Sequence, residues 1–417
     1  MKKWLALLLA ALLVLSVAGC KPNGGGEQQE SEKVDPYNDL TMEELYELAK
    51  AEGGKITVYS TTTDASSAAK KFKKAYPDLE IEFISCDTNT IAEKLVMESD
   101  SGNINADVVC VKDNSGEIYN ELVLYDVLGV YKPTAVCEHI DPELLRFGLP
   151  LYATFNPWFY NTRMFPDGCP LTSWWDIVEG YDVNTHSYTD ASGVNHQKWT
   201  IFTKDITGPS YASLWTQIII DGDKMAEQYK KQYGTDLVYT YHDALANTPG
   251  IMEFPENNAG VELFYRFTQM KITELSDGDG VVEAVHNSLN GPTLGLTSAS
   301  KLDNRDSSGF EIAWVTGLEP YTAFQACSYL YTVEGSNNPY GARLFIQFCL
   351  GGADGQSGCY TVFDKRGAWS VRDDVIYTKS DMSVEEVNLT TPDFARVYET
   401  YPNVKSYWTY WSSLAKN

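Results

Sequence analysis

Four hydroxyl side chains stand in a row at Ser60, Thr61, Thr62 and Thr63, followed by Asp64, in the stretch KITVYSTTTD. Hydroxyls at that density can fix a polar or anionic solute by hydrogen bonds, because each both donates and accepts. A plain helix cap accounts for one such hydroxyl and not for four. Covalent chemistry has less to stand on. The chain carries no nucleophile elbow, no HExxH zinc pattern and no phosphate-cradling P-loop. Its five histidines, His139, His186, His196, His242 and His286, are scattered without ligand spacing. The acidic turn SDGDGVVE around Asp277 and Asp279 lacks the third acidic ligand of a calcium loop and reads as a solvated turn. The carboxylates are too many and too dispersed to single out an acid/base pair, so no catalytic residue, cofactor or metal is expected.

The elements around the hydroxyl run explain its position. Thr41 and Glu44 form a capping box that opens a helix, and Gly53–Gly54 closes it. KITVY reads as a short strand. Ala65, Ala68, Ala69, Phe72 and Tyr76 recur at helical spacing until Pro77. LEIEFI alternates as a strand, NTIAEKLVMES is helical, and ADVVCV is a continuous apolar strand of the doubly buried, parallel type. This β-α-β-α-β order implies a parallel sheet covered by helices. Ligands of such sheets collect beyond the carboxyl ends of the strands, where helix N-termini offer free N–H groups and partial positive charge. The hydroxyl run lies at such an end. Further on, SYASLWTQIII, AGVELFYRFTQM and NPYGARLFIQFCLGG read as helices, with strand-like PTLGLTSASKL and FEIAWVTGLEPYTAFQACSYLYTV between them. No fixed-period repeat is visible.

The start of the chain bears on location. Lys2 and Lys3 precede an apolar run from Trp4 to Leu15, too short to span a bilayer and typical of a secretory signal. LSVAGC resembles the lipobox of bacterial lipoproteins, which implies removal of residues 1–19 and lipidation of Cys20, anchoring the protein to the cell membrane. KPNGGGEQQESEKVD has no aromatic residue and cannot offset its chain entropy by burial, so residues 20–40 are expected to form a disordered tether. The net charge of −25 speaks against nucleic-acid binding, which needs basic patches. Beyond Cys20 an odd set of cysteines remains, none with CxxC spacing. Cys110 reads as a buried thiol, while Cys349 and Cys359 could stay free or form a bridge.

The order of segments LAKAEGGKITVYS, ADVVCVKD, FYNTRMFPDGCPLTSWWDI, GPSYASLWTQI, LNGPTLGLTSASKL, NPYGARLFIQFCL and GAWSVRDDV resembles extracellular solute-binding proteins of ABC importers, in the ferric-iron-type branch of family 1. That resemblance implies the type II periplasmic-binding-protein fold: two α/β lobes, each a mixed, mostly parallel sheet flanked by helices, joined by a hinge. Lobe 1 would take residues 41–152 plus 320–365, and lobe 2 residues 153–319 plus 366–417. It further implies a monomer that closes over a small solute and docks on permease subunits served by a separate ATPase. By the resemblance Thr61, Thr62 and Thr63, then Asp87 and Thr88, then Asp113, fall in the first-lobe binding loops, and Ser210, Tyr211, Thr297 and Ser298 in those of the second. Trp174, Trp175, Trp199 and Trp314 also lie near the expected lobe junction, but Trp158 and Trp369 are the tryptophans closest to the crossovers and would stack on the solute. Iron members use adjacent tyrosines; this chain has 27 tyrosines and no Tyr-Tyr pair. An anionic or oxygen-rich solute is therefore expected, with ferric iron or an iron chelate as the alternative, and a secreted enzyme acting on a small polar substrate as the rival from another class.

Overall fold

The computed structural model describes residues 35–179, 199–248, 257–352, 358–376, 379–380 and 382–415. The signal segment, Cys20 and most of the expected tether lie outside the described residues, as do His186 and His196. The tether ends earlier than expected. From Pro36 the chain belongs to the folded unit, because Tyr37 packs its ring edge-on against Tyr340 and beneath the Arg343 guanidinium. The Asn38 amide oxygen also accepts the Lys132 N–H at 2.9 Å.

The expected capping box opens α1 (Met42–Glu52): the Thr41 hydroxyl accepts the Glu44 N–H, and the Glu44 carboxylate accepts the Thr41 N–H. There follow β1 (Lys55–Ser60), α2 (Asp64–Ala75), β2 (Glu80–Ser85), α3 (Thr88–Ser101) and β3 (Val108–Lys112). The apolar stripe Ala65, Ala68, Ala69 and Phe72 is the buried face of α2. Strand β1 runs parallel to both β2 and β3. After β4 (Leu128–Gly129) and β5 (Leu149–Thr154) the chain enters a second sheet at β6 (Trp158–Asn161). That sheet continues through β7 (Thr200–Thr203), α4 (Pro209–Ile220), α5 (Ala259–Thr268), β8 (Ile272–Glu274), α6 (Gly278–Asn287), β9 (Thr293–Leu296) and β10 (Ile312–Trp314). The return passes β11 (Ala323–Phe324) into β12 (Ala326–Val333), α7 (Pro339–Leu350), β13 (Ala368–Ser370), β14 (Leu389–Thr390) and the long α8 (Phe394–Ala415).

The first sheet has the order β13-β5-β12-β3-β1-β2, with β4 on β12, and the second β10-β6-β9-β7-β8. Both are mixed. In the first, only the β2-β1-β3 part is parallel, because β12, on the chain's return to the lobe, inserts antiparallel between β3 and β5, and β13 then pairs antiparallel with β5. Each sheet has its own core. Val58, Phe72, Val109, Leu149, Tyr331 and Phe345 belong to the first; Trp158, Trp174, Trp215, Phe264, Leu294 and Trp411 belong to the second. The change of core falls between Ala153 and Phe155 on the way out and between Ala326 and Cys327 on the way back. Thr154 and Ala326 are register partners, so the two crossovers are hydrogen-bonded side by side.

The lobe limits inferred from the resemblance need adjustment. Tyr321, Ala323 and Phe324 still pack in the second core, and Ala368–Ser370 pairs with β5 in the first sheet, with Val371 and Val375 in the first core. Residues 321–324 carry the apolar side chains that the Trp-rich second core takes up, and the short strand after residue 365 completes the free edge of β5. No helix among the described residues is long and apolar enough to cross a membrane. Cys86, Cys110, Cys137, Cys169, Cys327, Cys349 and Cys359 are all free, with the thiols of Cys349 and Cys359 in hydrogen-bond contact.

Candidate ligand-binding cleft

The paired crossovers form the floor of a cavity of about 190 Å³, lined by Lys112, Asn114, Thr154, Asn156, Lys204, Ser210, Tyr211, Gly278, Thr297, Ser298, Lys301 and Ala326. Its walls come from the ends of strands in both sheets. Lys112 is the last residue of β3, and Lys204 and Thr297 directly follow β7 and β9. In α/β sheets that is where ligands gather, since strand carboxyl ends leave loops and helix N-termini converging on one crevice. On the second-lobe side α4 begins here with Gly208 as N-cap, without a side-chain cap bond and with proline in its first turn. Pro209 has no N–H and the Tyr211 and Ala212 N–H groups donate to the Gly208 carbonyl at 3.0 Å, so what this helix start offers the cavity is the Ser210 hydroxyl, which no cap bond engages. Helix α6 also begins here. A side chain at Gly278 would bring its Cβ to 2.5 Å from the Thr297 hydroxyl, so only glycine fits this wall.

Each polar side chain of the cavity has a traceable anchor. The Lys112 ammonium donates to the Thr154 hydroxyl at 2.9 Å, lies 5.6 Å from the centre of the Tyr152 ring, and makes no ion pair among the described residues. Burial pulls its pKa down to about 8, since a desolvated ammonium is disfavoured. The Asn114 amide donates to the Ser210 hydroxyl at 2.9 Å, joining the first lobe directly to the second. Burial raises the Tyr211 phenol, whose partner is the Thr297 hydroxyl, so it stays protonated and able to donate. The Lys301 ammonium is held by Asp279 at 2.7 Å, and Asp279 also accepts from the Asn304 amide. Asp277 accepts the Gly280 N–H as the N-cap of α6, so the stretch SDGDG, expected as a solvated turn, is the start of a helix.

The expected site residues divide by lobe. Ser210, Tyr211, Thr297 and Ser298 all line the cavity. The first-lobe hydroxyls do not. The Thr61 hydroxyl accepts the Lys112 N–H at 3.4 Å. The Thr62 hydroxyl donates to Asp64 at 3.1 Å and accepts the Asp64 N–H, closing a local turn. Thr63, exposed, precedes α2 without a side-chain cap bond. Asp87 caps α3, accepting both the N–H and the hydroxyl of Thr90 at 2.9 Å, and these bonds hold its carboxyl below its ordinary range; Thr88 is the first residue of that helix.

Asp113 is fully buried and turned into its own loop, where Oδ2 accepts the Tyr119 N–H at 2.8 Å; burial pushes its carboxyl up to about 7. The two tryptophans expected to stack on a solute belong to the second core instead. Trp158, 1% exposed, packs edge-on against Trp174 and Phe267. Trp369, also 1% exposed, leans on Phe155 and donates its indole N–H to the Met382 carbonyl. Large aromatics near a crossover are the means by which the second core is filled.

Sequence reasoning missed Lys112, Asn114, Thr154, Asn156, Lys204 and Lys301. The signal was present for two of them: VVCVK and TIFTK each place a lysine at or directly after the end of a strand-like run. A second polar cluster lies elsewhere. His139 sits between Asp373 at 2.9 Å and Asp374 at 3.7 Å. The Arg372 guanidinium grips both oxygens of Asp374, at 2.9 and 2.7 Å, so one of the two carboxylates is already paired with arginine, and the other, Asp373, is exposed.

No protein-family model matches the chain, and no curated protein does either. Solved structures do. The periplasmic binding protein AfuA from Actinobacillus pleuropneumoniae, with exogenous fructose-6-phosphate bound, is 15% identical over 87% of this chain and 99% of its own, with a TM-score of 0.54. Iron-bound HitA from Pseudomonas aeruginosa is 13% identical over 86% and 99%, with a TM-score of 0.58. The substrate-binding protein of an ABC transporter from Agrobacterium tumefaciens is 16% identical over 88% and 96%, at 0.53. At these identities the likeness establishes the fold: two mixed α/β lobes of the periplasmic-binding-protein kind.

Proposed function

We propose that this chain is the solute-binding component of an ABC importer, capturing a small polar, anionic or oxygen-rich solute between its lobes and delivering it to a membrane permease. The carrying observation is the cavity at the paired crossovers, lined from both sheets and bridged by the Asn114–Ser210 bond. A cavity of about 190 Å³ sits below the roughly 300–1,000 Å³ of drug-sized sites and suits a metabolite. Closure about Thr154 and Ala326 would bring the two walls together around the solute, in the manner of a hinge. The fold neighbours include one solved with fructose-6-phosphate and one with iron, which supports solute capture as the class of function.

In this reading residues 41–153 and 327–375 carry the first lobe and residues 155–326 the second, with α8 spanning both. The chain is a monomer, lipid-anchored through Cys20 outside the cell membrane. Its partners are the permease subunits, with a separate ATPase, and no nucleic acid. The bare-iron alternative is opposed by the lining itself: three lysines and a protonated Tyr211 are poor company for a trivalent cation. The enzyme alternative has less support: the cavity lining has no carboxylate, histidine or cysteine, which leaves Lys112, Ser210 and Tyr211 as the groups such chemistry would have to use.

A thermal-shift screen with sugar phosphates, sugars, polyamines, thiamine and iron chelates tests this. A solute at 100 times its Kd should stabilise the protein by about 2.7 kcal/mol. Failure of all five classes removes the transport reading, and turnover of any compound moves the protein to the enzymes.

A further inference from the structure

Charge is distributed unevenly in this molecule. The chain carries 57 acidic and 32 basic residues, and many of its lysines are paired. Lys50, Lys55, Lys73, Lys224, Lys230, Lys301 and Lys365 each sit within 4.0 Å of a carboxylate. The cavity reverses that balance. Its lining contains three lysines and no Asp or Glu. Of the three, only Lys301 is neutralised, by Asp279. Lys112 has a hydroxyl and an aromatic face for company and feels Asp64 only at longer range, a carboxylate already paired with Lys365, and Lys204 has no ion pair among the described residues.

A cation at a partly desolvated site is costly unless something neutralises it. Keeping one such cation on each lobe, facing a shared small cavity in so acidic a protein, makes physical sense when a ligand supplies the counter-charge. We propose that the solute is a dianion whose two charges are neutralised by Lys112 from the first lobe and Lys204 from the second. This rests on the reading of the cavity as the solute site and names the substrate class for it. The geometry also assigns the remaining contacts. The hydroxyls of Ser210, Tyr211 and Thr297 supply hydrogen bonds to the anion's oxygens. Thr154 holds the Lys112 ammonium in position. Because the two cations sit on opposite lobes, a dianion ties both walls together, whereas a monoanion leaves one ammonium unpaired in the closed form.

Calorimetric titration of the full-length protein with matched probes tests the charge count. Glycerol 3-phosphate and succinate serve as dianions, their monomethyl esters as monoanions, and glycerol and succinamide as neutral analogues. At least one dianion should bind tenfold or more tightly than its monoester. Lys204→Gln and Lys112→Met should each lower dianion affinity at least tenfold and erase the preference over the monoester, while Lys204→Arg restores it. Melting curves confirm that each variant is folded. Failure of both dianions to bind below millimolar concentration overturns the inference, as does equal binding of a dianion and its monoester. If a neutral analogue binds and Ser210→Ala weakens it, the cavity is still the solute site and only the charge assignment falls. If a dianion binds undisturbed by Lys112→Met, Lys204→Gln and Ser210→Ala alike, the cavity itself is the wrong site.

Discussion

Hydroxyl-rich loops follow strands in both lobes, after β1 in the first and after β7 and β9 in the second, and their fates differ. In the first lobe the bonds of the Ser60–Asp64 loop stay within that lobe: Thr62 closes a turn on Asp64, Thr61 braces the Lys112 backbone, and Asp64 pairs with Lys365. In the second, Ser210 and Thr297 bond only across elements, to Asn114 and Tyr211, and stay at the cavity wall. A local turn satisfies Ser and Thr within two residues. Proline in the first turn of α4 and Gly208 at its cap leave Ser210 without that local outlet. Hydroxyl density alone therefore does not place a loop at the cavity; the lack of a nearby acceptor leaves its hydroxyls turned there.

The contrast between the loops can be broken by experiment, the largest effect first. Gly278→Val should abolish solute binding, because its Cβ would lie 2.5 Å from the Thr297 hydroxyl and the wall would close; overpacking of this kind also costs about 1–3 kcal/mol of stability, readable by denaturant melts. Next comes pH. Lys112 titrates near 8, below the ordinary lysine range, so its cationic form is mostly present at pH 7 and mostly lost at pH 9. Affinity for an anion should hold below pH 8 and fall about tenfold between pH 7 and 9, a dependence that Lys112→Met should flatten. Calorimetry across that range checks both.

Smaller effects compare the loops directly. Ser210→Ala should weaken solute binding by about 1 kcal/mol or more, roughly fivefold in Kd, by loss of a part-buried hydrogen bond. Thr62→Ala should change Kd less than Ser210→Ala does and lower stability by about 0.5–1.5 kcal/mol, since its bonds to Asp64 and to the buried Tyr152 phenol stay within the first lobe. Equal losses of affinity in both would put the first-lobe loop back at the solute. The last test concerns Asp113. Burial raises its carboxyl in the folded state, so the stability this group contributes is complete below about pH 4 and lost as pH rises through about 7. Asp113→Asn should thus raise the melting temperature relative to wild type at pH 8 and leave it nearly equal at pH 4, with solute affinity unaltered at pH 7.

Reading the sequence recovered the first lobe's alternation of strands and helices almost residue by residue. The capping box at Thr41, the stripe on α2 and the buried strand at Val108–Lys112 are set by neighbours within one or two turns. The second lobe's cavity-facing hydroxyls were reached through family resemblance, and they do line the cavity. The tryptophans were misread. Whether Trp158 faces solvent or the Phe267 ring depends on α5, about a hundred residues away in sequence, and no local pattern reports that. The lysines escaped notice because a Lys after a strand is ordinarily a solvated end.

Taken by itself, the amino-acid order determined which segments are helix or strand and where the helices begin, because capping and apolar periodicity act over a few residues. It also determined that the chain would build an α/β body, since alternating short strands and amphipathic helices can bury their apolar faces only as covered sheets. Tertiary structure alone decided which polar groups meet. Register pairing of Thr154 with Ala326 brings the two lobes to one floor and places Lys112 and Lys204 on opposite walls without a carboxylate between them. Electrostatic compensation is a property of distance in space, and residues far apart in the chain acquire it only once both sheets have folded.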